Sequence, residues 1–217
     1  MKPSTDHSAL LRPVDAGEAG RQCGSPSRIG VFCGSRAGTR PEYLRIAADI
    51  GRAIAERGGA LIYGAGGLGL MGALSTAAQQ AGAEVVGVIP ASLHERERLD
   101  NACGEILVVK DMHARKALMY ELADAFVVLP GGYGTMDELM EAATWNQLGF
   151  HRRSLVLANI NGFFDPLLTF LDHMATHGFI HQKERGLIQA ATDPHACLDA
   201  LGMARPAACS LRQEMLQ

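Results

Sequence analysis

Residues 125–138 read AFVVLPGGYGTMDE. Ala125–Leu129 is an unbroken apolar run, and Met136 onward carries a helical pattern to about Leu148. An apolar run without alternation describes a strand buried on both faces, the situation of a parallel sheet covered by helices. Between strand and helix stand Gly131, Gly132, Tyr133, Gly134 and Thr135. Glycine lets backbone N–H groups approach an anion without a Cβ in the way, and a helix N-terminus adds partial positive charge. The pattern therefore suits a phosphate. It also suits a plain tight turn with Thr135 as N-cap, because Thr135-x-x-Glu138 has the form of a capping box.

The same strand–loop–helix unit recurs on both sides. Strands are expected at Ile29–Cys33, Ala60–Tyr63, Glu84–Ile89, Glu105–Val109 and Ser154–Ile160. Helices are expected at Pro41–Arg57, from the glycines after Tyr63 to Ala81, and at Met112–Ala123. Two or three further helices begin near Asp165 and Pro194. Gly58-Gly59 stops the first helix, and Pro90 the third strand. Strands alternating with helices point to one Rossmann-like, doubly wound α/β domain over residues 28–203. Residues 1–27 and 204–217 read as tails. Ligands of such sheets lie beyond the carboxyl ends of the strands. Three glycine-rich turns fall there: CGSRAG, YGAGGLG and LPGGYGT.

Composition narrows the function. The chain has 217 residues and a formal net charge of −3, and no Lys/Arg run exceeds two. A nucleic-acid binder needs a basic stripe, so no nucleic-acid partner is expected. No apolar run approaches the ~20 residues of a membrane span, so no membrane partner is expected either. The five cysteines are widely spaced without CxxC, which favours a reducing, cytoplasmic setting over a disulfide framework. The histidines lack metal-ligand spacing, and no metal is expected.

Several residues carry candidate chemistry. Gly64-x-Gly66-x-x-Gly69 matches a dinucleotide fingerprint, but the next strand ends in Ile89-Pro90, with no acid there to hold a ribose. Close helix–sheet packing accounts for these glycines as well. Ser35 could donate its hydroxyl to a ligand or cap a turn. Arg115 and Lys116 place two cations near a helix start, against the macrodipole, beyond the fourth strand. Glu138 and Glu141 share a helix face, and Met136, Leu139, Met140 and Ala143 form an apolar stripe expected to meet the sheet. Glu141 alone reads equally as a solvated position. Trp145 suits core, interface or base stacking.

Taken in order, VFCGS (31–35), YGAGGLGLMG (63–72), GVIP (87–90), MHARK (112–116), LPGGYGTMDE (129–138) and TWNQLGFH (144–151) resemble the LOG ("lonely guy") family of phosphoribohydrolases. The resemblance covers about residues 28–190. It implies a Rossmann-like homodimer that needs no cofactor. Its small-molecule partner would be an N6-substituted adenosine 5′-monophosphate, cleaved to free base and ribose 5-phosphate. By position it implies Arg115 and Glu138 as catalytic residues, Gly131–Thr135 around the phosphate, and Ser35 and Lys116 as nucleotide contacts. Two positions depart mildly from the family pattern: GAGG at 64–67 and Asp137. Members of this family are often labelled lysine decarboxylases, which would require pyridoxal phosphate on a lysine. The chain offers Lys2, Lys110, Lys116 and Lys183. A nucleotide carrier without catalysis is the alternative from another class, since fold does not fix function.

Overall fold

The computed structural model describes residues 27–94 and 101–205. The expected tails therefore fall almost wholly outside the described residues. Seven strands form one sheet: β1 (Arg28–Phe32), β2 (Ala60–Tyr63), β3 (Val85–Pro90), β4 (Glu105–Val109), β5 (Ala125–Val128), β6 (Leu155–Ala158) and β7 (Ile188–Ala191). Their order is β4-β3-β2-β1-β5-β6-β7, and every pairing is parallel. The chain winds outward from β1 to one edge, returns, and continues from β5 to the other. The reversal falls between β1 and β5, where a crevice opens at the carboxyl ends.

The helices are α1 (Pro41–Glu56), α2 (Gly69–Gln80), α3 (Ala91–His94), α4 (Met112–Leu122), α5 (Tyr133–Leu148), α6 (Asp165–Thr176), α7 (Gln182–Arg185) and α8 (Pro194–Ala200). They cover both faces. On one side Ile50 and Ile54 of α1, Leu74 of α2 and Leu198 of α8 close over Ile29, Val31 and Val127. On the other, Met119 and Tyr120 of α4, Leu139 of α5 and Leu171 of α6 close over Phe32, Phe126 and Val128. Burial of a large apolar side chain stabilises by roughly 1.5–3 kcal/mol, so these two layers carry the fold.

Most expected elements are present within a residue or two. Three details differ. Pro90 is the last residue of β3 and not its stop. The seventh strand, IQAA, was not anticipated. At α5 the N-cap is Gly132, with no side-chain cap. Thr135 is thus inside the first turn, and the Thr135–Glu138 capping box does not form. The face of α5 turned inward is Thr135, Glu138, Leu139 and Ala142, whereas Met140 is exposed. Of the expected apolar stripe, Leu139 lies in the core and Met136 and Ala143 pack against it, whereas Met140 does not, and the Glu138 carboxylate shares the buried face.

Candidate active site

The crevice between β1 and β5 is a cavity of roughly 630 Å³, within the range of small-molecule sites. Its floor is the glycine loop after β5, with Gly131, Gly132, Tyr133, Gly134 and Thr135 all on the wall. Opposite lies the loop after β1, with Gly34, Ser35, Arg36 and Gly38. The two loops are joined by Gly34 N–H donating to the Pro130 carbonyl at 3.0 Å. A Cβ on Gly131 would overlap the Thr135 hydroxyl, so glycine is required there by the turn itself. A Cβ on Gly132 or Gly134 would meet nothing within 4 Å. The protein does not demand glycine at those two positions; they leave the backbone bare toward open space.

Arg115 and Glu138 converge on this cavity from two neighbouring helices, α4 and α5, on the same face of the sheet. Asp111 caps α4, accepting from the Ala114 N–H at 2.8 Å. That hydrogen bond holds the Asp111 carboxyl below its ordinary range, and its charge answers the macrodipole that the two following cations oppose. Arg115 then reaches back under the sheet ends. Its Nε donates to the Val88 carbonyl at 3.1 Å and an Nη to the Gly64 carbonyl at 3.4 Å. A side chain at position 64 would overlap the guanidinium, so the first glycine of GAGG makes room for the arginine. The same Nη also faces Glu138, at 3.6 Å.

Glu138 is buried one turn above the glycine loop. Burial raises its pKa, Arg115 opposes that rise, and the net position is about 7. A carboxyl group poised near neutrality can both hold charge and exchange a proton. Cys33 also touches the cavity, but burial pushes its thiol well above the usual range, so it is no nucleophile. The last wall is apolar: Tyr43 of α1 stacks edge-on against Phe163 at 5.7 Å, with Leu70, Met71 and Leu93 beside them. None of these five was singled out from sequence. They come from four separate segments, and no local pattern marks them.

The structure brings together Ser35, Arg115, Glu138 and Gly131–Thr135. Lys116 stands apart: it does not line the cavity, and its Nζ lies 3.0 Å from both Asp137 and Glu141. The Tyr120 hydroxyl donates to Glu141 Oε2, also 3.0 Å away. Glu141 is accordingly an ion-pair partner and not a solvated position. Trp145 packs on Tyr120, ring centroids 4.9 Å apart. Among the described residues no cluster of His, Cys, Asp or Glu is arranged to hold a metal. No described helix is long and apolar enough to cross a membrane.

Residues 71–201 match the family model described as "possible lysine decarboxylase". The cytokinin riboside 5′-monophosphate phosphoribohydrolase LOG of Oryza sativa subsp. japonica is 47% identical over 164 residues, covering 76% of this chain and 68% of the rice protein. LOG7 of Arabidopsis thaliana, of the same name, is 48% identical, covering 76% of each. Among solved structures, the molybdenum cofactor carrier protein of Chlamydomonas reinhardtii superposes with a TM-score of 0.61 at 24% identity, over 80% of this chain and 94% of the carrier. That likeness is one of fold. With the glycine loop, the arginine and the buried glutamate in place, and with this level of identity over most of the chain, the protein belongs to the LOG family of cytokinin riboside 5′-monophosphate phosphoribohydrolases.

Proposed function

We propose that this protein hydrolyses the N-glycosidic bond of a nucleoside 5′-monophosphate of the adenosine type, N6-substituted or not, releasing free base and ribose 5-phosphate. The observation that carries the reading is the Arg115–Glu138 pair set directly above a bare glycine loop at the sheet's switch point. The 5′-phosphate rests on the amides of Gly131–Thr135 and the N-terminus of α5, with Ser35 on the facing loop. Anchoring that end brings the anomeric carbon under Glu138. Cleavage of C1′–N9 builds positive charge on the ribose ring. The Glu138 carboxylate stabilises that charge and takes a proton from the attacking water; the water oxygen bonds to C1′ as the C1′–N9 electron pair leaves with the base, which takes up a proton from solvent. Arg115, always charged, orients the carboxylate and the sugar and does not donate a proton. Lys116 holds Asp137 and Glu141 in place beside the site.

The family description points to pyridoxal phosphate, and the described lysines do not fit it. A Schiff-base lysine needs a depressed pKa. Burial acts on Lys116 in that direction, but its hydrogen bonds to Asp137 and Glu141 outweigh it and the net shift is upward. Lys110 projects into solvent, and Lys183 lies on α7, away from the cavity.

A homodimer in the cytoplasm belongs to the same reading. Leu148, Phe150, Phe170 and Phe179 are exposed and could be covered by a second copy. Cys33, Cys103 and Cys197 are free thiols, as a reducing compartment would leave them. Light scattering checks the mass.

The decisive assay follows free base by chromatography with AMP and isopentenyl-AMP. Glu138→Gln and Arg115→Ala are each expected to lower kcat/KM by about 10²–10⁴. Near-normal turnover in both variants would overturn the mechanism. Nucleotide binding by the unaltered protein without base release would favour a carrier instead.

A further inference from the structure

We propose that Arg36, on the loop after β1, is a second anchor for the substrate's phosphate, closing on it from the side opposite the glycine loop. This rests on the nucleotide reading above and concerns a residue outside the arginine–glutamate pair.

The argument is one of charge. Among the described residues, the charged side chains lining the cavity are Arg36, Arg115 and Glu138. Arg115 is largely committed: its Nε and one Nη meet two carbonyls, that same Nη faces the Glu138 carboxylate, and the other Nη, beside Met112 Sδ, is left for the sugar. Lys116 faces Asp137 and Glu141 outside the cavity. A 5′-phosphate carries nearly two negative charges at neutral pH, and Glu138 adds another once ionised. Backbone amides and a helix terminus supply only about half a positive charge. Arg36 makes no hydrogen bond or ion pair with the described residues, and it is exposed at the cavity mouth. Its loop is fastened to the glycine loop through Gly34 and Pro130. A guanidinium there offers a planar fork suited to phosphate. Arg40, four residues on, is also exposed but does not line the cavity, so it supplies the control.

The test compares Arg36→Gln, Arg36→Lys and Arg40→Gln with the unaltered protein. KM for AMP and the inhibition constants of ribose 5-phosphate and inorganic phosphate are measured at two salt concentrations. Arg36→Gln is expected to raise KM and both inhibition constants about 10–100-fold, with kcat changed far less. Its salt dependence should shrink, and Arg36→Lys should recover part of the loss. Arg40→Gln should leave these constants near their starting values. Equal effects of Arg36→Gln and Arg40→Gln would reduce the role to a general field and overturn the proposal. So would unchanged inhibition by ribose 5-phosphate and inorganic phosphate in Arg36→Gln. Failure of the hydrolase reading shows differently, as no base released by the unaltered protein. In that case calorimetric titration of AMP into the unaltered protein and Arg36→Gln still decides whether Arg36 holds the phosphate.

Discussion

At Glu138 burial and an arginine pull one carboxyl group in opposite directions, and burial wins. The folded pKa of about 7 exceeds the ordinary 4.5. Between those values the folded state binds more protons than the unfolded chain, so stability falls as pH rises through that window. Above it the full cost remains, about 3 kcal/mol from a shift of this size. Glu138→Gln is therefore expected to raise stability by about 1–3 kcal/mol at pH 8 and hardly at all at pH 4.5, while abolishing most activity. Urea melts at the two pH values check this. The same ionisation should make kcat/KM climb with pH through about 7, and a profile flat from pH 5 to 8 would contradict a carboxylate role. The glycines divide in a similar way. Gly131→Ala should cost about 1–3 kcal/mol through overlap with Thr135. Gly134→Ala, inside α5 and facing open space, should be neutral or stabilising by up to about 1 kcal/mol and yet weaken AMP binding. From sequence the loop was legible as a glycine-rich strand-to-helix turn of the kind that suits a phosphate, but this division among its glycines was not, because it depends on what stands opposite each Cα.

The α4–α5 pair shows how elements hold the site. Lys116 of α4 bridges Asp137 and Glu141 of α5, and Tyr120 of α4 adds a hydrogen bond to Glu141. This clasp sits one residue from Arg115 on α4 and flanks Glu138 on α5. Lys116→Met should destabilise by about 1–3 kcal/mol; it is held below the full cost of breaking a buried pair because Asp137 is 58% exposed. It should also lower kcat, with KM for AMP changed little, through drift of Arg115 relative to Glu138; a raised KM for AMP would mark a direct contact of Lys116 with the nucleotide instead. Thermal melts and kinetics on one preparation check both. The existence of α4 and α5 was plain from their apolar spacing. The burial of Glu138 was not: Met136, Leu139 and Ala143 meet the core as their spacing suggests, but pattern alone ranks Met140 above Glu138 for burial and the structure reverses those two. The edge strand β7 escaped for a related reason. Four residues with Gln189 and Ala190 exposed carry too little apolar signal to stand out.

Over the whole molecule, the parallel sheet and its switch point were readable because six strands are short, apolar and bounded by glycine or proline. The cavity was readable only in part. Its polar side is built from contiguous motifs, whereas its apolar wall gathers Tyr43, Met71, Leu93 and Phe163 from distant segments. The arrangement also ties chemistry to completeness. Arg115 is steadied by carbonyls at the ends of β2 and β3, and Glu138 arrives only after β5. In denaturant, activity and far-ultraviolet circular dichroism should consequently fade together, and an inactive species with full helix content would argue against this coupling. A chain still emerging from the ribosome, translated as far as β4, owns neither the glycine loop nor the carboxylate. On the mechanism proposed above, such an unfinished polypeptide would lack the means to cleave a nucleotide, which arrive only when the far half of the sheet docks.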